Sequence, residues 1–256
     1  MNKLTIGYLY KKHLNLYGDN GNIEVLVQRA LRRGFEVEVL EIEQDTLVSS
    51  DLFKNVNLVF MGGGPDSGQR DVYEDLVKNK GDFLKEYIGN GGVGLYICGA
   101  YQLLGHFYEA ADGSRLDGLG VFDLYTEHFG KKIPRCIGNT VAKFSRRILE
   151  DPVFKSINSL DDFIVGFENH GGRTFLKQKE ESFASMVRGS GNNSKDKTEG
   201  CLFNNSIGTY FHGPILSKNP HLADYLIAKS LGIDSLQKLD DSLIIATHTA
   251  SMKLKQ

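Results

Sequence analysis

The residues with the plainest chemical meaning are one cysteine and its neighbours. The apolar run Val93 to Ile97 stops at Cys98, the small residues Gly99 and Ala100 follow, and Tyr101-Gln102-Leu103-Leu104 then reads as a helix. This is the pattern of a strand–turn–helix elbow, which presents its central side chain on a strained backbone. The N–H groups and positive dipole end of the following helix favour a thiolate there, and a thiolate can attack a carbonyl carbon. A cysteine ending a buried strand can also be no more than a small core hydrophobe. The small-residue turn favours the nucleophile.

Attack on a carbonyl creates an oxyanion that needs donors. A second apolar run, Asn57 to Met61, ends in Gly62-Gly63-Gly64 without the Lys-Ser/Thr of a phosphate loop or G-x-G-x-x-G spacing. The N–H groups of Gly63, Gly64 and Gly99 are therefore the expected oxyanion hole, where losing one donor costs on the order of 3 kcal/mol of transition-state stabilisation. A base is needed too. His212 directly follows the apolar run Ile207 to Phe211 and precedes Gly213-Pro214, which puts it on a broken turn at a strand end. His170, before Gly171-Gly172, is the rival base and reads as pocket lining, whereas His13, His106, His128, His221 and His248 read as surface or core residues. Pro214, two places after His212, offers no carboxylate, so a group that orients the imidazole is sought elsewhere. Glu168 and Asp19 are the candidates, and an unassisted Cys–His dyad is the alternative.

These groups must be carried by strands and helices. Leu4 to Tyr10 reads as a buried strand, Glu36 to Ile42 as a strand with alternating Val37, Val39 and Ile42, and Asn57 to Met61 and Val93 to Ile97 as further strands, separated by helical patterns at Ile23 to Arg33 and Val72 to Ile88. Repeated βα units predict an α/β fold with a mostly parallel sheet, whose strand ends and loops share one edge. Cys98 and the glycine turn fall on that edge together. Beyond Gly118 the strands are short: Val121 to Thr126, Ile137 to Ala142, Phe163 to Phe167, Phe183 to Val187 and Ile207 to Phe211. The polar run Gly189 to Thr198 reads as an exposed loop, Pro220 to Leu231 as the last helix, and the remainder as a less regular tail.

Composition sets limits. The 256 residues are 41% hydrophobic with a net charge of -2, enough for one large core and too little positive charge for a nucleic-acid track. The basic pairs Lys11-Lys12, Arg32-Arg33 and Lys131-Lys132 are scattered. Cys98, Cys136 and Cys201 have no zinc-site spacing, which predicts no metal site and suits a reducing cytoplasm. No stretch predicts a signal peptide or a membrane span, so a cytoplasmic protein without membrane insertion is expected.

The Cys98 segment and Thr209-Tyr210-Phe211-His212-Gly213-Pro214 resemble, in the right order, the nucleophile and histidine segments of class I glutamine amidotransferases of the cobyric acid synthase-like branch. With Leu14 to Asn22, Tyr125-Thr126-Glu127 and Phe167 to Thr174, the chain is similar from about Leu4 to about Leu231 to the GatD family, the glutaminase subunits of lipid II isoglutaminyl synthase. The resemblance implies a flavodoxin-like amidotransferase domain over residues 1–234 and a tail of unassigned role over 235–256. It implies hydrolysis of L-glutamine through a thioester on Cys98, with His212 protonating the departing ammonia. It also implies that Arg135 holds the glutamine carboxylate, a task suited to the bidentate guanidinium fork. No cofactor is implied in this chain; ATP and Mg are expected on a MurT-like chain of the Mur ligase family, the heterodimer partner that binds lipid II. Two other readings stay open: a glutaminase serving a cobyric or cobyrinic acid-type or other acceptor, and a silent binding module on the same fold.

Overall fold

The computed structural model describes residues 3–48, 54–130, 132–158, 160–177 and 182–254; Lys131 of the basic pair named above lies outside them. Strands β1 (Lys3–Leu9), β2 (Glu36–Ile42), β3 (Leu58–Met61) and β4 (Val93–Ile97) pair in parallel, with β3 and β4 buried throughout. Burial on both faces is why β3 and β4 read as continuous apolar runs. Helix α1 (Asn20–Leu31) joins β1 to β2, α2 (Asp66–Asp75) and α3 (Gly81–Gly89) join β3 to β4, and α4 (Gly99–Leu103) follows β4.

The later chain supplies β5 (Phe107–Glu109), β6 (Arg115–Asp117), β7 (Leu124–His128), β8 (Cys136–Phe144), β9 (Phe163–His170), β10 (Gly172–Leu176), β11 (Ala184–Arg188), β12 (Thr198–Glu199), β13 (Cys201–Phe203), β14 (Ser206–Thr209) and β15 (Phe211–His212). Helices α5 (Pro220–Leu231) and α6 (Ser242–Lys253) end the chain. The main sheet runs β13-β14-β4-β3-β1-β2, with β14 returning parallel to β4. Two smaller sheets, β10-β7-β5-β6 and β12-β11-β8-β9-β15, stand on the side of the strand ends. The fold is the mixed α/β architecture that the alternating pattern predicts.

Four sequence expectations are corrected. The helix expected from Val72 to Ile88 is α2 and α3 joined by a π-turn over Leu76–Lys80. That turn brings Lys80 inside, where its ammonium is 2.9 Å from Asp75 Oδ1 and donates to the carbonyls of Gln44 and Thr46. The strand expected from Ile207 to Phe211 breaks at Tyr210: β14 belongs to the main sheet and β15 pairs with β9 in another. Glu199 holds the crossing, accepting from Thr209 Oγ1 at 2.6 Å and from the N–H of Tyr210 at 2.9 Å.

The polar run Gly189 to Thr198 is exposed only from Ser194 to Lys197. Asn192 and Asn193 are buried, Asn192 because its side chain joins Tyr101, Thr198 and both backbone groups of Gly200. The tail holds a regular helix, α6. It is tied down because Arg29 forks between Asp224 and Asp241 at 2.7 Å, Arg33 adds a bond to Asp224, and Arg188 caps the helix end at the Met252 carbonyl.

Candidate active site

Four adjacent strands, in the order β14-β4-β3-β1, lead at their carboxyl ends to His212, Cys98, Gly63 and Asp19 respectively. Such an edge is where open α/β sheets place their ligands. Cys98 has φ 49 and ψ −102, a strained conformation for a residue with a side chain. Its own N–H donates to Thr209 O at 2.8 Å, and its carbonyl accepts from the Gln102 N–H at 3.0 Å, so strand and helix lock the elbow from both sides.

His212 Nδ1 lies 3.2 Å from Asp19 Oδ1, with both side chains fully buried. Pinning Nδ1 leaves Nε2 without a hydrogen-bond partner, on a ring that feels the Cys98 sulfur. Burial alone would lower the imidazolium's pKa, but the Asp19 carboxylate and the Cys98 sulfur outweigh it and raise His212 to about 10. A His212 charged at neutral pH can hold a thiolate next to it and can give a proton away. Asp19 is thus the carboxylate beside His212. Glu168 faces elsewhere, its oxygens taken by the N–H groups of Ser190 at 2.7 Å and Gly191 at 2.9 Å and lying 3.8 Å from His170 Nε2.

The other oxygen of Asp19 accepts the N–H of Gly63 at 2.7 Å. That corrects the oxyanion hole: the Gly63 donor is committed to the carboxylate, and Gly64 and Gly99 are the candidates that remain. Gly63 serves by its lack of a side chain. A Cβ there would stand 2.9 Å from His212 Cε1 and 3.1 Å from Cys98 Cβ, so the three side chains close in on a bare Cα.

Cys98 opens into a cavity of about 600 Å³ lined also by Gln69, Gln102, His128, Arg135 and His170. His170 is held by its Nδ1 at 2.8 Å from Gly172 O and stacks on Tyr210 with centroids 3.7 Å apart, and burial lowers its pKa, so it stays neutral. His128, which reads from sequence as a surface or core residue, also lines this cavity, and burial lowers its pKa as well.

Arg135 is positioned by Asn169, whose side-chain oxygen accepts from Nε at 2.9 Å and whose carbonyl accepts from Nη2 at 2.8 Å. Three residues that sequence reasoning missed complete this wall. Asn169 donates to the Tyr17 hydroxyl at 2.7 Å, the Tyr17 ring meets His212 edge-on at 5.0 Å, and Arg173 holds the Pro134 carbonyl at 2.9 Å beside Arg135. Their one signal was membership of the segments Leu14 to Asn22 and Phe167 to Thr174.

A family model described as the CobB/CobQ-like glutamine amidotransferase domain matches residues 5–220. The lipid II isoglutaminyl synthase (glutamine-hydrolyzing) subunit GatD of Staphylococcus aureus is 42% identical over 230 residues, 90% of this chain and 85% of that protein. The subunit of the same name from Streptococcus pneumoniae is 38% identical, covering 90% of this chain and 81% of that one. A probable cobyric acid synthase of Methanothermobacter thermautotrophicus is 27% identical, with 45% of its length covered. Among solved structures, a glutamine amidotransferase from Thermotoga maritima superposes with a TM-score of 0.55 at 16% identity, covering 98% of this chain and 92% of that one.

Proposed function

The chain belongs to the CobB/CobQ-like glutamine amidotransferase family and is a glutamine amidotransferase, and from this premise we propose that it is the glutaminase subunit of a two-chain enzyme that amidates lipid II in peptidoglycan synthesis. The observation that carries the chemistry is Cys98 at positive φ, between a cavity and a His212 held by Asp19.

In the proposed cycle Arg135 receives the α-carboxylate of L-glutamine on its outer edge, which sets the side-chain amide at Cys98. The thiolate attacks the amide carbon, and the oxyanion is met by the N–H groups of Gly64 and Gly99, the latter at the first turn of α4. The carbon–nitrogen bond breaks, His212 gives its proton to the nitrogen, and ammonia leaves the γ-glutamyl thioester. Water attacks the thioester, His212 takes its proton, the carbon–sulfur bond breaks, and glutamate and the thiolate are released.

Ammonia in water at neutral pH is mostly ammonium and a poor nucleophile, so its use requires a partner docked at this site. The partner is a MurT-like chain of the Mur ligase family that binds ATP and Mg, activates the D-glutamate α-carboxylate of lipid II and forms a heterodimer with this chain in the cytoplasm. No helix among the described residues is long and apolar enough to cross a membrane.

The names of the relatives covered over most of their length favour lipid II over a cobyric acid-type acceptor. Purified chains are mixed with lipid II, glutamine and ATP–Mg, and the product is read by mass. Amidated lipid II that needs both chains supports the reading; amidation of a cobyrinic acid-type acceptor instead, or product without this chain at low ammonia, overturns it.

A further inference from the structure

Gln69 stands on the first turns of α2 and is 2% exposed. Its side chain lies directly over the residue after the nucleophile: a Cβ on Gly99 would be 2.8 Å from Gln69 Nε2 and 3.0 Å from its Cδ. Nε2 donates to Gln102 Oε1 at 3.2 Å, and Gln102 Nε2 donates in turn to the Tyr210 hydroxyl at 3.0 Å. With Nε2 spent on Gln102, Oε1 is a buried acceptor without a partner, on a side chain that lines the same cavity as Cys98. A buried unmet acceptor is costly unless something completes it.

We propose that Gln69 Oε1 accepts a hydrogen bond from the side-chain N–H₂ of the substrate, which makes Gln69 a specificity-determining residue that tells glutamine from glutamate. The proposal rests on the reading of Cys98 as the nucleophile for glutamine. Three features of the site are then matched to three features of the substrate: Arg135 to the carboxylate, the N–H groups of Gly64 and Gly99 to the carbonyl oxygen, and Gln69 to the nitrogen. The glutamate product offers a carboxylate oxygen where glutamine offers a donor. Two acceptors then face each other, so the product is expelled while the substrate is held.

The test compares two substrates on the full-length chain, with its ligase partner present where turnover requires it. L-Glutamine carries the N–H donors; L-glutamate γ-methyl ester has the same carbonyl, carboxylate and ammonium without them. Gln69→Met, which keeps the volume and removes the acceptor, is expected to lower kcat/KM for glutamine about 10-fold or more while changing the ester less than about 3-fold. Equal losses on both substrates would overturn the proposal, because they would put the acceptor on the α-ammonium or on the fold, and so would no loss on either.

A second measurement leaves Gln69 intact. In a Cys98→Ala chain, glutamine is expected to raise Tm and glutamate to leave it unchanged; equal stabilisation by the two overturns the proposal. If the unmodified chain cleaves neither substrate, the glutaminase reading itself fails, an outcome distinct from cleavage of both with parallel losses in the variant.

Discussion

Asp19 spends one oxygen on His212 and the other on Gly63, so a single carboxylate sets both the charge of the base and the position of the glycine turn. Asp19→Asn keeps an acceptor for Gly63 and removes the charge. Because Asp19 raises His212, its loss must lower the imidazolium's pKa. The wild-type rate is expected to fall as His212 deprotonates near pH 10. In the variant that alkaline limb of kcat/KM moves to lower pH and kcat drops by about 100-fold; a kcat/KM–pH profile with an unmoved limb refutes the assignment. Cys98→Ser and Cys98→Ala are expected to lose glutamine hydrolysis with Tm retained, and a diazoketone glutamine analogue should label Cys98 while sparing Cys136 and Cys201, read by peptide mass. Tyr17→Phe removes the acceptor that steadies Asn169 behind Arg135. Its expected effect is a KM for glutamine raised about 3- to 10-fold with kcat little changed, and a fall in kcat alone would count against it. Cys98 and His212 were visible in the sequence because each ends an apolar run at an abrupt turn. Asp19 is one of two carboxylates the sequence offers, since nothing local links a carboxylate to a histidine 193 positions away. The Gly63 error has a physical source: periodicity locates a glycine turn but not where its N–H points.

At the scale of elements, β1 to β4 and α5 stood close to where periodicity put them, because the buried strands β1, β3 and β4 and the packed helix leave apolar runs and the edge strand β2 leaves a clean alternation. The missed boundaries sit where a single buried polar side chain overrides the pattern, as Lys80 does at the π-turn and Glu199 at the β14–β15 crossing. Burial pushes the Glu199 carboxyl up to about 8. A value above that of the unfolded chain means a contribution to stability that is complete below about 4.5 and lost as pH rises through about 8. Glu199→Gln keeps the acceptor for Thr209 and Tyr210 and has no charge to form. Wild-type Tm is therefore expected to decline from mildly acidic to alkaline pH, and the variant to sit several degrees higher at the alkaline end. Parallel Tm–pH curves for the two proteins would contradict this.

Across the whole molecule, the net charge of -2 excluded a nucleic-acid track but gave no hint of the ions inside. Arg29 and Arg33 meet Asp224 and Asp241 in a nearly buried cluster joining α1, α5 and the approach to α6. Such a cluster unites residues more than 190 positions apart, so no window along the chain reveals it. Arg29→Met leaves buried aspartates short of a partner and is expected to cost about 3 kcal/mol or more, read as a lower urea midpoint at an unchanged m-value. A midpoint within error of wild type would show that the cluster does not hold the C-terminal helix in place.

Because the chain changes sheets at Tyr210, Cys98 hangs from the edge of one slab and His212 from another. The reacting pair is therefore a gauge of how the two slabs are registered. A slip of about 1 Å between them is enough to change the thiol–imidazole spacing on which proton transfer depends while leaving every strand paired within its own sheet. Turnover should thus fail before unfolding does under mild denaturant, and any body that grips both slabs at once tightens the spacing on which the chemistry depends.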